Sequence, residues 1–226
     1  MALTLYVAKP SSVRFIGASP PSWMCALLLE LKQLEHTIVE LDFAAGEHRS
    51  PELIALNPRG TIPVLVDYER GRVPVHETFA ILEYIEWREP GHLPLDAYAR
   101  ARALTRFHES SELKAAGMRA LAYLMRTPEA ERDPDQLRAD SEALTHELDR
   151  WQGYLDGGPS YLGGAEPNLA DVAIYPYLAT LRQLGLPLAR WRALAGHYAT
   201  FAAHPAAQAT RPPDWGEPAP RCPWPL

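Results

Sequence analysis

The sequence predicts an α/β domain followed by an all-helical domain. Over the first 88 residues, strand-like alternation of apolar residues gives way repeatedly to helical periodicity. Beyond residue 95 only the helical pattern continues. A stretch with Pro and Gly separates the two parts, and both residue types interrupt helices. We therefore expect the first domain at 1–88, a linker at 89–95, a helical domain at 96–210 and a proline-rich, extended tail at 211–226.

The elements of the first domain follow in the order β-α-β-α-β-β-α. Strand–helix–strand units require parallel pairing and a right-handed crossover, so these elements predict an α/β sheet. The second helix has Ser50 as its N-cap and Pro51 at its first position. In chain order we predict strand Leu3–Val7, helix Trp23–Leu34, strand Thr37–Asp42, helix Ser50–Leu56, strands Pro63–Val66 and Val73–Val75, and helix Thr78–Trp87.

Four helices are predicted in the second domain. The third begins with Asn168 and Asp171 at the spacing of a capping box, in which each side chain accepts from the other residue's backbone N–H. We interpret Asp171 as a folding element, not as a catalytic acid. The predicted helices are Tyr98–Met125, Pro134–Tyr154, Leu169–Leu184 and Trp191–His204.

Composition excludes several classes of function. The net charge of −6 argues against a nucleic-acid partner or an anionic membrane surface, because both require a basic patch. No apolar run approaches the roughly 18 residues of a membrane span. The two cysteines, Cys25 and Cys222, form neither a CxxC pair nor a metal-ligand pattern, so we expect a cytoplasmic protein without a metal.

Three linked runs carry a family resemblance. Gly46–Leu53, Asn57–Leu65 and Glu77–Ile85 resemble, in order and spacing, the core of the cytosolic glutathione transferases. The likeness is greatest to their serine-type phi, theta, tau and zeta classes. It implies a thioredoxin-like first domain that binds glutathione and a helical second domain facing a small apolar electrophile. It also implies a homodimer, formed through the last helix of the first domain and the first helix of the second.

The resemblance assigns glutathione contacts to seven residues. In the family, the cysteinyl backbone of glutathione pairs with the residue before a cis proline. The resemblance therefore places Ile62 and Pro63 at the centre of the glutathione site. Its γ-glutamyl end, which carries a carboxylate and an ammonium, meets Thr78 and Glu77 at a helix N-terminus. Its glycine carboxylate meets the basic loop, where arginine provides a bidentate cation. The seven residues are His48, Arg49, Thr61, Ile62, Pro63, Glu77 and Thr78.

The resemblance also implies a serine hydroxyl that stabilises the glutathione thiolate. Ser19 occupies the corresponding position at the start of the first helix, although Ser before Pro is equally an ordinary helix cap. Since Pro20 precedes another proline, we expect the helix to begin at Pro21 and Ser19 to lie outside the cap. The loop before it is longer than is usual in the family, and Ser11, Ser12 and Ser22 remain alternatives.

Two further residues have a structural interpretation. Tyr6 is similar in type to the tyrosine that provides the hydroxyl in the tyrosine-type classes. Its place in a strand, however, favours a packing role over a catalytic one. Cys25 lies a turn inside the first helix, beside its apolar stripe, and we interpret it as a core thiol. A glutathione-dependent isomerase, dehalogenase or etherase of the same fold remains an alternative function. A non-catalytic interaction module is a third.

Overall fold

A four-stranded mixed sheet organises the first of two units. The computed structural model describes residues 3–13, 16–216 and 224, and the chain divides into residues 1–91 with 204–215 and residues 92–203 with 216–226. The strand order is β2-β1-β3-β4, with β1 parallel to β2 and β3 antiparallel to both of its neighbours. The predicted α/β class is confirmed. The strands are β1 Leu3–Ala8, β2 His36–Leu41, β3 Val64–Asp67 and β4 Val73–His76.

Three helices, α1 Pro20–Leu31, α2 Pro51–Leu56 and α3 Thr78–Arg88, complete the predicted order. The Ser50 hydroxyl accepts from the Leu53 backbone N–H at 3.4 Å, which confirms the predicted cap of α2. Helix α1 begins at Pro20, so the prediction of a start at Pro21 is wrong. A proline fits the first position of a helix because that N–H has no intrahelical partner.

Buried charges fix α3 in place. Lys32, just after α1, meets Glu86 of α3 at 2.6 Å, and both side chains are buried. Asp67 at the end of β3 accepts from the Tyr84 hydroxyl at 2.7 Å and pairs with Arg88 at 3.0 Å. Breaking a buried ion pair of this kind typically costs about 3–5 kcal/mol. The carboxyl-terminal half of α3 is therefore held against the end of β3 and the end of α1.

Residues 204–215 return to the first unit. The predicted helix Trp191–His204 corresponds to α7 Arg192–Ala202 in the second unit, and a short helix that was not predicted, α8 Pro205–Ala209, follows it in the first. The break follows from Pro205, which starts a new helix with His204 as its cap. The described part of the tail, 211–216, contains no helix, as predicted. The rest of the predicted tail, at 217–223 and 225–226, lies outside the described residues.

The second unit is helical. It contains α4 Ala97–Arg126, α5 Pro134–Leu155, α6 Leu169–Gln183 and α7, in agreement with the prediction. Gly117 lets α4 approach α6 closely, since a Cβ there would lie 2.8 Å from Leu181 Cδ1. Within the described ranges, no helix combines the length and the apolar character needed to cross a membrane.

The predicted capping box of α6 is present. The Asn168 side chain accepts from the Asp171 N–H at 3.3 Å, and the Asp171 carboxylate accepts from the Asn168 N–H at 2.8 Å. Asp171 also accepts from the Leu162 and Gly163 N–H groups and contacts His197 Nε2 at 2.8 Å. One buried carboxylate thus joins the loop before α6, the start of α6 and helix α7.

Candidate functional site

Strand register collects the candidate residues at one end of the sheet. Strands β1 and β2 both end there, with Ala8 opposite Leu41. Strand β3 begins at the same end, since Val64 lies opposite Tyr6, and β4 ends there opposite Val64. The loops after β1, after β2, before β3 and after β4 therefore meet at this end. These loops carry the candidate serines, the basic pair, the Ile62–Pro63 turn and the Glu77–Thr78 pair.

The turn before β3 contains the cis bond that the sequence predicts, between Ile62 and Pro63. Within the described part of the chain, the backbone N–H and C=O of Ile62 make no hydrogen bond. Asn57 holds this turn: its amide nitrogen donates to the Thr61 backbone oxygen at 2.7 Å and hydroxyl at 3.0 Å, and its side-chain oxygen accepts from the Arg59 N–H at 3.1 Å. A free backbone edge is thus presented by a rigid turn.

Backbone strain marks the junction between β4 and α3. Glu77 has φ of 70° and ψ of 121°, a combination that costs a non-glycine residue roughly 1–3 kcal/mol. No side chain caps the helix that follows. Thr78 is half-buried at its first position, and its hydroxyl has no partner among the described residues. The junction therefore offers a carboxylate, a hydroxyl and an uncapped helix start side by side.

The basic loop contains one neutral and one charged residue. His48 is 5% exposed, stacks on Phe43 with ring centroids 4.2 Å apart, and leaves Nδ1 without a hydrogen bond. Burial, and secondarily the charge of Arg49, lowers the pKa of His48, so its ring is neutral at pH 7. Arg49 is exposed and makes no ion pair within the residues described. The cation of this loop is therefore Arg49.

Two contacts join these loops. A Cβ built on Gly60 would lie 3.4 Å from Arg49 Cγ, so the stem of that arginine lies against the turn before β3. At the neighbouring residue of the same turn, Arg59 Nε lies 3.7 Å from Glu77 Oε1, with both groups exposed. Arg49 and Glu77 therefore both approach the turn that leads to Ile62, Arg49 through its stem beside Gly60 and Glu77 through its ion pair with Arg59. A cation and a carboxylate are thus both close to the turn that presents the free backbone edge.

The four candidate serines differ in what their hydroxyls contact. Ser11 is exposed. Ser12 is buried and fully engaged, donating to the Lys9 carbonyl at 2.7 Å and accepting from the Phe43 N–H at 3.1 Å. The hydroxyls of Ser19 and Ser22 lie 3.1 Å apart. Ser12 therefore joins two loops, whereas Ser19 is half-buried and, among the described residues, its hydroxyl makes a hydrogen bond only with the Ser22 hydroxyl.

The start of α1 has few backbone donors. Ser19 is the N-cap, yet its side chain makes no capping hydrogen bond. Pro20 and Pro21 carry no N–H, and the Trp23 N–H already donates to the Ser19 carbonyl at 2.8 Å. Among the residues that the structure describes, the N–H groups of Ser19 and Ser22 and the two hydroxyls are the donors that remain at this end. An anion bound at the start of α1 is therefore stabilised more by hydroxyl groups, and less by backbone N–H groups, than at an ordinary helix start.

A cavity of about 420 Å³ lies within the first unit beside these hydroxyls. Ser19 and Ser22 line it together with apolar side chains of α1, of β2 and of the 209–213 segment, among them Trp23, Ile38 and Pro212. The cavity is large enough for a small organic molecule. A molecule bound there would contact the Ser19 side chain.

The two residues interpreted as structural are confirmed in that role. Tyr6 packs with Leu41, Val64 and their neighbours in an apolar cluster, and burial raises its pKa. Cys25 is completely buried, which raises the pKa of its thiol, and its Sγ lies 3.5 Å from the Pro21 carbonyl. Neither group is available at the end of the sheet.

Comparison with known proteins identifies the family. The family profile described as Glutathione S-transferase, N-terminal domain, matches residues 18–88, and the profile of the C-terminal domain matches residues 129–202. Glutathione S-transferase A of Pleuronectes platessa is 30% identical over 217 residues, covering 93% of this chain and 95% of that protein. Maleylacetoacetate isomerase of Pseudomonas aeruginosa is 28% identical over 215 residues, covering 86% and 92%.

A solved structure shows the same architecture. The crystal structure of a glutathione S-transferase from the Antarctic clam Laternula elliptica superposes with a TM-score of 0.84 at 27% sequence identity. The superposed region covers 96% of this chain and 95% of the clam protein's chain.

Proposed function

This chain belongs to the glutathione S-transferase family, and we propose that the sheet end of its first unit binds glutathione and ionises its thiol for attack on a small apolar electrophile. The observation that carries the proposal is the free backbone edge of Ile62, in a turn that both Arg49 and Glu77 approach. A cation, a carboxylate and the Thr78 hydroxyl at this end of the sheet suit a tripeptide with a carboxylate at one end and an amino acid at the other.

The backbone of glutathione extends the sheet in this proposal. Ile62 N–H and C=O pair with the cysteinyl residue as an added strand, with Pro63 setting the direction of the turn. Asn57 contributes indirectly, because it fixes the turn through Thr61. Since the Thr61 hydroxyl already accepts from Asn57, we assign it only a secondary contact.

The two charged ends of glutathione meet matched partners. At the γ-glutamyl end, the Thr78 hydroxyl and the uncapped start of α3 receive the carboxylate, while the Glu77 carboxylate receives the ammonium. At the other end, Arg49 binds the glycine carboxylate, because it is the cation of the basic loop. His48 contributes a neutral ring that supports the loop through Phe43.

Ser19 supplies the catalytic hydroxyl. An unperturbed thiol has a pKa of about 8.5, so little thiolate is present at neutral pH. A hydrogen bond from the Ser19 hydroxyl to sulfur favours the thiolate, and the proton leaves to solvent. The thiolate then forms a carbon–sulfur bond as the leaving group departs with its electron pair. The cavity beside Ser19 is lined by apolar side chains such as Trp23 and Ile38 together with charged ones such as Glu40, and it has room for a small second reactant.

An isomerase is the second candidate. The similarity to maleylacetoacetate isomerase over most of both chains favours it. The same glutathione contacts serve that reaction, with glutathione regenerated at the end. A non-catalytic interaction module is less well supported, because the Glu77–Thr78 pair and Arg49 are all present and accessible at the sheet end.

We also propose that the protein is a cytoplasmic homodimer with a role in detoxification. Trp87 on α3 is 65% exposed, and Leu95, just before α4, is 96% exposed. Large exposed apolar side chains on α3 and immediately before α4, the two helices named in the family's dimer, support a subunit contact. Sedimentation equilibrium gives the test, with twice the chain mass of 25.2 kDa expected. A single-chain mass at micromolar concentration would contradict the dimer.

Calorimetric titration with glutathione tests the binding proposal. We expect saturable binding, and an Arg49→Ala variant should bind about tenfold or more weakly, since a charge-assisted hydrogen bond contributes about 1.5–3 kcal/mol. Arg138→Ala, which removes an exposed arginine of the second unit, is the matched control. Absence of binding by the parent protein at millimolar glutathione would refute the assignment.

Substrate assays separate the two enzymatic candidates. A transferase consumes glutathione stoichiometrically with an activated aryl halide. An isomerase converts maleylacetoacetate without net loss of glutathione. Turnover of the aryl halide alone supports the leading proposal, and turnover of maleylacetoacetate alone supports the second.

A further inference from the structure

The C-terminal segment of the first unit reaches back to the loop that carries Ser19. The Trp215 indole N–H donates to the backbone carbonyl of Ile16 at 3.0 Å. Its ring also meets the Trp23 ring edge-on, with centroids 5.4 Å apart and an angle of 86° between planes. A residue 199 positions away along the chain therefore contacts both the loop before Ser19 and the helix after it.

The Trp215 ring is itself held in place. Its backbone N–H donates to the Pro212 carbonyl at 3.2 Å, and its carbonyl accepts from Arg211 at 2.9 Å. Nearby, the Trp23 indole N–H donates to the Thr210 hydroxyl at 2.9 Å, and that hydroxyl donates to the Ala206 carbonyl at 2.8 Å. The segment 206–215 is thus a connected set of hydrogen bonds, not a loose tail.

The loop 16–18 needs such support. Gly17 has φ of 62°, a conformation that glycine adopts freely, and a Cβ there would lie 3.5 Å from Trp215 Nε1. Ser19 makes no capping hydrogen bond, so the ordinary interaction that fixes a residue at a helix start is missing. The position of the Ser19 hydroxyl depends instead on how the three residues before it are held.

We infer that Trp215 is a positioning residue, which sets the Ser19 hydroxyl at the glutathione sulfur by fixing the Ile16 carbonyl and the start of α1. This inference rests on the proposed function. A hydroxyl stabilises a thiolate only within hydrogen-bonding distance, and a displacement of about 1 Å can cost up to about 100-fold in rate. Trp215 touches neither glutathione nor sulfur in this scheme. Its effect is on the ionisation of the thiol and not on the affinity for the tripeptide.

The test is a Trp215→Phe variant, which removes the indole N–H and keeps an aromatic ring against Trp23. We expect kcat to fall about tenfold or more and the pKa of the bound thiol, followed by thiolate absorbance in the ultraviolet, to rise. The Kd for glutathione should stay within twofold of the parent. The matched control is Trp224→Phe, which removes an indole donor to the Leu184 carbonyl in the second unit and should leave all three quantities unchanged.

The outcomes separate the inference from the proposed function. If the parent protein does not bind glutathione, the proposed function fails and the role of Trp215 fails with it. If the parent binds and turns over substrate, a Trp215→Phe variant with parental kcat and thiol pKa overturns the inference alone. An equal loss of glutathione affinity and kcat also overturns it, because that pattern indicates a general structural role.

A second variant guards against misfolding of the first. Thr210→Val removes the acceptor of the Trp23 indole and leaves Trp215 intact. We expect a smaller fall in kcat and a smaller rise in the thiol pKa, again with Kd unchanged. If circular dichroism shows that Trp215→Phe is unfolded, parental kcat and thiol pKa in Thr210→Val overturn the inference.

Discussion

Replacing Asp171 by alanine tests how much the buried carboxylate stabilises the helical unit. Asp171 accepts hydrogen bonds from the backbone N–H groups of Leu162, Gly163 and Asn168 and contacts His197 Nε2. All four lie between 2.8 and 3.1 Å from a carboxylate oxygen. Alanine leaves the donors in place and removes their acceptor.

The expected loss of folding stability in Asp171→Ala depends on which of these donors can form a hydrogen bond with water instead. Leaving a buried donor without an acceptor costs about 1–3 kcal/mol. Gly163 is exposed and Leu162 half-buried, so water replaces the carboxylate there at little cost. Asn168 and His197 are buried, and their donors stay unpaired. Two such groups give a destabilisation of about 4 kcal/mol. That is a large part of the 5–15 kcal/mol typical of a domain.

Urea unfolding followed by circular dichroism measures this quantity. Asp135→Ala is the control, because Asp135 is an exposed carboxylate in the first turn of α5 and its removal should change stability by about 0.5 kcal/mol or less. Equal effects of the two substitutions would refute the reasoning. An Asp171→Asn variant, which keeps one acceptor oxygen, should fall between the parent and the alanine variant.

Three further predictions concern the sheet end of the first unit. Ser19→Ala should raise the thiol pKa of bound glutathione by about 1–2 units, since a hydrogen bond to a charged group contributes about 1.5–3 kcal/mol. The pH dependence of kcat/KM measures this pKa, with Ser11→Ala as the control. An unchanged pH profile in Ser19→Ala would exclude Ser19. Burial lowers the pKa of His48 in the folded protein, so the stability that this residue contributes is present above its unfolded-state pKa of about 6.5 and is lost as pH falls below that value. His48→Phe should therefore reduce the difference between the urea midpoints measured at pH 7.5 and pH 5.5. An unchanged difference would contradict this role of His48. Glu77→Gly should relieve the positive-φ strain and stabilise the protein by about 1 kcal/mol, which thermal unfolding measures. The same substitution should weaken glutathione binding, which calorimetry measures. Unchanged binding would exclude Glu77 as a ligand.

Local signals in the sequence were sufficient for most of the fold. The cap of α2 at Ser50 and the capping box at Asn168 and Asp171 are formed by residues three positions apart, so their chemistry is visible in a short window. The order of strands and helices follows from apolar periodicity in the same way. The start of α1 at Pro20 was misplaced: apolar periodicity began the helix at Trp23, and the two adjacent prolines satisfy the rules for a helix start at either position, which favoured Pro21.

Contacts between distant residues were not predictable in this way. Asn57 stabilises the turn before β3, yet in the sequence it reads only as part of a family motif. The role of Trp215 depends on a hydrogen bond to Ile16, and no periodicity connects these positions. His197 meets Asp171 inside the second unit across 26 residues. The sequence therefore indicated which residues gather at the sheet end, but not which others hold them there.

The return of residues 204–215 to the first unit has a consequence for how the protein is made. A ribosome synthesises residues 1–91 well before residues 204–215, the segment that completes this unit. The contact between Ile16 and Trp215 closes a very long loop, and such closures come late in folding. The nascent amino-terminal part must therefore wait, with the Trp23 indole uncovered, until residues 204–215 have left the ribosome.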